Sequence, residues 1–227
     1  ITNTIEYSFD ITNNHHFTVL AGQEGVANRS DSFYAYANGG ITDDRLTNLQ
    51  NGTQSKYTMS ESYSASNFLS FFGHVDYTIM DKYIIDGTIR NDACSRFGKN
   101  NKNATFWSAG ALWKMKNEGF LNDVDWVNEL NVKASYGTQG NASIGDYQHL
   151  ALLGSYTSEY AGGPATYIGQ PSNNGLTWEQ QALLTVGING RLARMVDFNI
   201  EFYNRKTSSM LMDVPYSYTT GFPSLTS

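Results

Sequence analysis

One cysteine, Cys94, stands in 227 residues, so the chain can form no disulfide with itself. That excludes the stapled scaffolds common among small secreted domains. Proline occurs four times, and charged residues make up only 16%, well under the usual quarter. The formal net charge of −6 offers no basic footprint for a nucleic acid. No run approaches the roughly 20 apolar residues that a membrane-spanning helix needs, which excludes a helical membrane protein. A strand-built membrane protein stays open, because barrel strands are short and apolar on one face only. Residues Ile1 to Asp10 lack the basic start and apolar centre of a signal peptide.

What fills the gap is Asn, Ser, Thr and Gly, together with 15 Tyr and 12 Phe. Tyr and Thr favour strands, and Asn and Gly favour the turns between them, so the composition leans all-β. The hydrophobic period is two. Val196, Phe198, Ile200 and Phe202 alternate with Asp197, Asn199, Glu201 and Tyr203, which gives one oily and one wet face. Ala182, Leu184, Val186 and Ile188 alternate likewise with Gln181, Thr185 and Asn189, and a tight turn near Ala193 and Arg194 makes the two segments a hairpin. A second hairpin centres on Met80 and Asp81, and a third crosses Asn13 and Asn14. Further strands run from about Thr105 to Met115 and from Trp126 to Tyr136, roughly eight in all. The run from Tyr57 to Ile79 meets its first glycine at Gly73 and has no proline, so it can far exceed the ~5–6 residues usual in soluble strands. Ser32 to Leu49, interrupted by Gly39 and Gly40, reads as short helical turns within a loop.

The connections alternate. Turns near Asn13, Asp81 and Ala193 are short. Long polar loops cover about Gly25 to Lys56, Asn91 to Ala104, Gly137 to Thr177 and the chain from Thr207 onward, and Asn117 to Asp125 is intermediate. In an antiparallel sheet this puts all long loops at one end, the layout of outer-membrane barrels. Alternation alone fits equally a soluble all-β carbohydrate-binding module whose apolar faces close on each other as a sandwich. Loop asymmetry and strand length favour the barrel.

Sites with chemistry are scarce. Gly140 to Gly145 has the opening spacing of a phosphate loop, but Asp146 and Tyr147 follow where Lys and Ser or Thr are required. Adjacent His15 and His16 point to opposite faces of a strand, and His74 and His149 lack a Cys or carboxylate at ligand spacing. Asp43 and Asp44 lack the spacing of a calcium loop and read as a solvated pair. Asp197 and Glu201 share a strand face about 13 Å apart, beyond the separation of glycosidase carboxylates. Cys94, without a His or Cys-x-x-Cys partner, reads as a small side chain in a polar loop in place of Ser. Asn-x-Ser/Thr matches such as those at Asn51, Asn103 and Asn141 are what chance gives in so Asn-rich a chain. No residues are assigned to catalysis, a cofactor or a metal, and the reading is not an enzyme.

Four stretches carry a resemblance. The first runs from Phe72-Gly73-His74-Val75-Asp76-Tyr77 through Asp81-Lys82-Tyr83 to Ser95-Arg96-Phe97-Gly98. The second is Ala134-Ser135-Tyr136-Gly137-Thr138-Gln139-Gly140-Asn141 with Ile144-Gly145-Asp146-Tyr147, and the third Asn174-Gly175-Leu176-Thr177-Trp178-Glu179. The fourth is Tyr203-Asn204-Arg205-Lys206-Thr207 with Asp213-Val214-Pro215 and Thr219-Thr220-Gly221-Phe222. In this order they resemble the SusC/RagA family of TonB-dependent outer-membrane transporters over about two-thirds of the chain. Cys94 departs from the family's usual small polar residue, and Thr105-Phe106-Trp107 lacks an expected proline.

The resemblance implies an antiparallel, up-and-down transmembrane β-barrel segment with long extracellular loops, about eight strands of a larger barrel. Residues 1–227 are then all barrel, with no plug domain, and the chain reads as an internal piece of a longer polypeptide. It further implies a wall in outer-membrane lipid of a Gram-negative cell and a SusD-like surface lipoprotein as lid. TonB would act through the plug, and the cargo would be an oligosaccharide or peptide. Tyr156, Tyr160 and Tyr167, in a long loop, are the candidates for stacking on substrate; the competing reading packs them loop against loop.

Overall fold

The computed structural model describes residues 1–39, 43, 45, 48–52, 57–160, 163–222 and 224–226. Twelve strands are present among them. These are β1 (Thr2–Thr12), β2 (His15–Ala37), β3 (Tyr57–Ile79), β4 (Tyr83–Cys94), β5 (Asn103–Lys114), β6 (Val127–Asn141), β7 (Leu152–Tyr160), β8 (Gly163–Gln170), β9 (Glu179–Leu192), β10 (Val196–Ser208), β11 (Asp213–Pro215) and β12 (Ser224–Thr226). A four-residue helix, α1 (Gly119–Asn122), lies between β5 and β6. Eight strands form one sheet in the order β1-β2-β3-β4-β5-β6-β9-β10, and β7-β8 and β11-β12 form two small hairpins. The strand pairings β1-β2, β3-β4, β4-β5, β5-β6, β6-β9, β9-β10, β7-β8 and β11-β12 are all antiparallel.

The chain divides into two compact units, Ile1–Val26 with Phe68–Ser227, and Ala27–Asn67. The second unit is built from the outer part of β2, residues 49–52 and the first part of β3. Its strand Ala27–Ala37 replaces the helical turns expected from Ser32 onward, so the loop beginning at Gly25 starts instead after Ala37. Further along, Leu49–Asn51 forms a short 3-10 turn. Phe33, Tyr34 and Tyr36 favour the extended backbone, and Ser32 is tied to Ser62 by a 2.6 Å hydroxyl contact. Asp44 lies outside the described residues, while Asp43 pairs with Arg45 at 2.6 Å.

In the larger unit the wall is built rung by rung. Val132 pairs with Ile188, which pairs with Ile200, and Ala134 with Val186 and then Phe202. These side chains share the apolar face, on which Ile200 is 64% exposed. Among the described residues no second sheet covers that face, which overturns the sandwich alternative. One position along, Lys133, Gly187 and Glu201 form a rung of the polar face, and Asn131, Asn189 and Asn199 form the next. The hairpin tips at Met80-Asp81 and Ala193-Arg194 have positive φ at both central residues, the conformation of type I′ turns, whose twist matches the flanking strands.

The loops predicted from sequence are shorter than expected because the strands outrun the apolar band. β4 continues to Cys94 and β5 begins at Asn103, while β6 runs on to Asn141 and pairs there with Glu179. Residues 142–178 leave the sheet after β6 and return on the neighbouring strand, carrying the hairpin β7-β8. No helix among the described residues is long and apolar enough to cross a membrane.

Candidate functional site: the loop-end cluster, its cleft and the polar face

At the end of the sheet opposite the hairpin tips, the ends of β4, β5 and β9 converge on a small core. Cys94, Phe97, Phe106, Leu176 and Trp178 are buried together, and Phe97 is 0% exposed. The Trp178 ring lies 4.8 Å from Phe97 and edge-on at 5.7 Å from Phe106, geometries aromatic pairs favour. Its Nε1–H donates to the Lys102 carbonyl at 3.1 Å, which satisfies the one polar atom of the ring. Cys94 is therefore a core residue and not part of a polar loop. Its partners Leu176 and Trp178 arrive from the distant segment that leads into β9, which sequence spacing cannot reveal.

Arg96 organises the chain around this core. Its Nε donates to Asp146 Oδ1 at 2.8 Å and its Nη1 to the Ala142 carbonyl at 3.1 Å, and its own carbonyl accepts from His149 Nδ1 at 3.0 Å. His149 is thus a strut between loops. Gly98 lies against the backbone of Asn174, so any Cβ there would collide with main chain. The Ser95 to Gly98 turn, the Asp146 segment and the Asn174 to Trp178 segment form one rigid knot. These are three of the stretches that carried the family resemblance, and the structure brings them together.

Beside the knot lies a cleft of about 500 Å3, lined in part by Gln148, Gln170, Met212, Asp213, Phe222 and Thr226. The Thr226 hydroxyl donates to Asp213 at 2.7 Å and lies 3.2 Å from Gln148 Oε1. Gln170 Nε2 reaches the carbonyls of Tyr147, Gln148 and Leu150 at 2.8–3.2 Å. The Asn173 amide donates to the Thr226 carbonyl at 2.7 Å. Fixed amides and a carboxylate among apolar side chains around an open cleft suit a ligand with a polar, uncharged or cationic group.

Tyr156, Tyr160 and Tyr167 all fall in the β7-β8 hairpin, where Tyr156 pairs with Ala165, Tyr160 with Gly163 and Tyr167 with Gly154. The Tyr167 ring occupies the space above Gly154 that a Cβ would fill and remains 42% exposed. It therefore packs within the hairpin and still presents part of its ring outward.

The polar face is a ladder of satisfied groups. Arg90 binds Glu24 at 2.9 Å, Asp92 at 2.6 Å and Ser70 at 3.0 Å, and stacks 5.5 Å above the Phe72 ring centroid. His74 has the carboxylate that spacing seemed to deny it. Asp76, two residues along the same strand face, meets its Nε2 at 2.8 Å, and Thr88 meets its Nδ1 at 2.8 Å. Adjacent His15 and His16 separate as expected, to Tyr77 and Asp10 respectively, each at 2.7 Å. Asp197 is held by Arg191 at 2.6 Å and Glu201 by Lys133, so neither is free for acid–base work. Among the described residues no group of three or more His, Cys, Asp or Glu is placed to hold a metal ion.

Among solved structures, that of the RagAB peptide transporter superposes on 99% of this chain with a TM-score of 0.92 and 34% identity. The chain is a barrel segment of a TonB-dependent receptor of the SusC/RagA kind. TonB-dependent receptor P26 of Formosa agariphila is 34% identical over 233 residues, and TonB-dependent receptor SusC of Bacteroides thetaiotaomicron 33% identical over 168. The alignments cover 98% and 70% of this chain but only 23% and 17% of those receptors, and the RagAB match spans 25% of its chain. The segment thus spans about a quarter or less of the proteins it matches. No protein-family model matches it. These relatives are receptors and transporters, a class of outer-membrane proteins in Gram-negative bacteria, and not enzymes.

Proposed function

We propose that this segment supplies wall and extracellular loops to an outer-membrane importer of large nutrients, oligosaccharides or peptides. In this reading residues 1–227 are barrel throughout, the apolar face meets outer-membrane lipid and the polar face lines the lumen. The plug that TonB would pull lies elsewhere in the polypeptide. A SusD-like surface lipoprotein covers the loop end, where the cleft and the β7-β8 hairpin present Tyr167, and with it Tyr156 and Tyr160, to cargo. The observation that carries the reading is the uncovered apolar face of a single antiparallel sheet, with short turns at one end and the buried knot at the other. A soluble protein would expose such a face at a large cost. The likeness to a peptide transporter supports import as the task.

The test uses the full-length receptor, tagged and recovered from its own cells. Recovery from the outer-membrane fraction together with a surface lipoprotein, and loss of uptake of one oligosaccharide or peptide class on deletion, is the expected result. Tyr167→Ala should then weaken uptake several-fold without lowering the amount of receptor. Recovery in the soluble fraction without detergent would overturn the reading.

A further inference from the structure

The connection between β5 and β6 lies at the hairpin-tip end, yet it is not a simple turn. It carries a 3-10 turn (Met115–Asn117) followed directly by α1. Tyr83 and Trp113 pair across β4 and β5 on the same face as Ile85 and Ala111. Both hold Glu118, the residue before α1. The Tyr83 hydroxyl donates to it at 2.6 Å and the Trp113 indole N–H at 3.2 Å, and Lys82 adds an ion pair at 3.0 Å. The segment is therefore pinned to the apolar face and not beneath the lumen.

The burial of Val127 agrees. The register shift between Val127 and Glu129 places Val127 opposite Leu192 on the apolar face, yet it is 4% exposed where other residues of that face stand open. The 115–117 turn lies beside β6 at this end of the sheet. In contrast Phe120, in α1, is 64% exposed. The polar main chain is closed off at the same time. Lys116 Nζ donates to the carbonyls of Leu121, Asn122 and Val124 at 2.9–3.2 Å, which caps the C-terminal end of the helix. In water those carbonyls need no such partner; next to hydrocarbon they do. The cations of the segment are engaged internally, so nothing selects an anionic surface.

We propose that residues 115–124 form an interfacial foot that seats among the phospholipids of the periplasmic leaflet, with Phe120 entering the acyl boundary. The foot rests on the reading of the apolar face as lipid-facing and is continuous with it. A short element with a single aromatic inserted sets depth and tilt; it does not anchor the barrel, which the strands do.

The test places a nitroxide label at Phe120→Cys, at Ile85→Cys on the wall and at Asp125→Cys in the turn, in the full-length receptor with Cys94→Ala. The receptor is reconstituted in bilayers of phosphatidylethanolamine and phosphatidylglycerol. Collision with oxygen, which concentrates in lipid, is compared with collision with a water-soluble nickel chelate. The expected oxygen-to-nickel ratio at Phe120 is close to that at Ile85 and several-fold above that at Asp125. A nickel-dominated ratio at Phe120, with Ile85 still lipid-like, overturns the foot and leaves the wall standing. Shielding of Phe120 from both quenchers overturns it too, since another protein then covers the site. A nickel-dominated Ile85 overturns the lipid-facing wall itself. If the Phe120 cysteine variant fails to insert, Phe120→Trp read by brominated-phospholipid quenching decides the same question.

Discussion

Lys133 and Glu201 form an ion pair across a strand that lies between them, passing over Gly187. A Cβ at Gly187 would stand 3.0 Å from Lys133 Cε, from Glu201 Cγ and from the Ile200 carbonyl. The glycine is a window through which two non-neighbouring strands are linked. Gly187→Val should therefore cost more than removing either charge. We expect about 1–3 kcal/mol for the overpacked valine and a smaller loss for Glu201→Gln, since the pair is a third exposed and screened by solvent. Urea titrations of the folded barrel in lipid check the order; a Glu201→Gln cost above that of Gly187→Val would refute the window.

On the opposite face of the same strand, Ile200→Arg should destabilise the barrel by roughly 2–4 kcal/mol if it lies near the bilayer midplane, and Ile200→Asp by less. The same titrations read both. A soluble core position would instead lose folding with either charge.

Arg96→Met removes the tie from the Ser95 turn to Asp146 and to the Ala142 carbonyl. The pair is largely shielded, at 24% and 16% exposure, so a cost of about 1–3 kcal/mol is expected, confined to the loop end. Hydrogen exchange should quicken in 95–101 and 142–149 while the wall strands keep their protection. Arg96→Lys restores only part, because an ammonium cannot reproduce the planar fork.

Cys94 is expected to resist maleimide in the native receptor and to react fully on unfolding, because its sulfur sits beneath Phe97 and Trp178 in the buried cluster. Rapid labelling of the native protein would show that the knot opens.

Glu118 gives the foot a pH limit. The Tyr83 hydroxyl first, and Lys82 next, hold its carboxyl below the ordinary value. A depressed folded-state value means the contribution is present above the unfolded value of ~4.3 and is lost as pH falls through the folded one. Protection of the 115–125 amides, taken relative to their intrinsic exchange rates, should fall as pH drops below the ordinary carboxylate range, and Glu118→Gln should remove that step.

How legible was this in the sequence? The β9-β10 hairpin could be read residue by residue, because Val196 to Phe202 alternates cleanly and one face of each strand is uniformly apolar. The long β3 could be read too, from the absence of breakers. What stayed hidden follows two physical causes. Where strands run beyond the apolar band, as at Ser32–Ala37, neither face is uniformly oily and the period of two disappears. The β7-β8 hairpin escaped in the same way, since Leu152-Leu153-Gly154-Ser155 does not alternate. Where a site is made by convergence, as with Cys94 against Leu176 and Trp178, no local spacing records it. The resemblance had marked the Ser95-Arg96-Phe97-Gly98 and Asn174 to Trp178 stretches, but only the structure shows them touching.

The detour between Asn141 and Glu179 has a consequence for how such a receptor can change. Because β6 and β9 are sheet neighbours with Asn141 opposite Glu179, the chain leaves and re-enters the wall at a single doorway. A replacement threaded through that doorway leaves every rung of the ladder where it was. Insertions and exchanges in this segment can therefore alter what the loop end presents while the strand register beneath stays as it is.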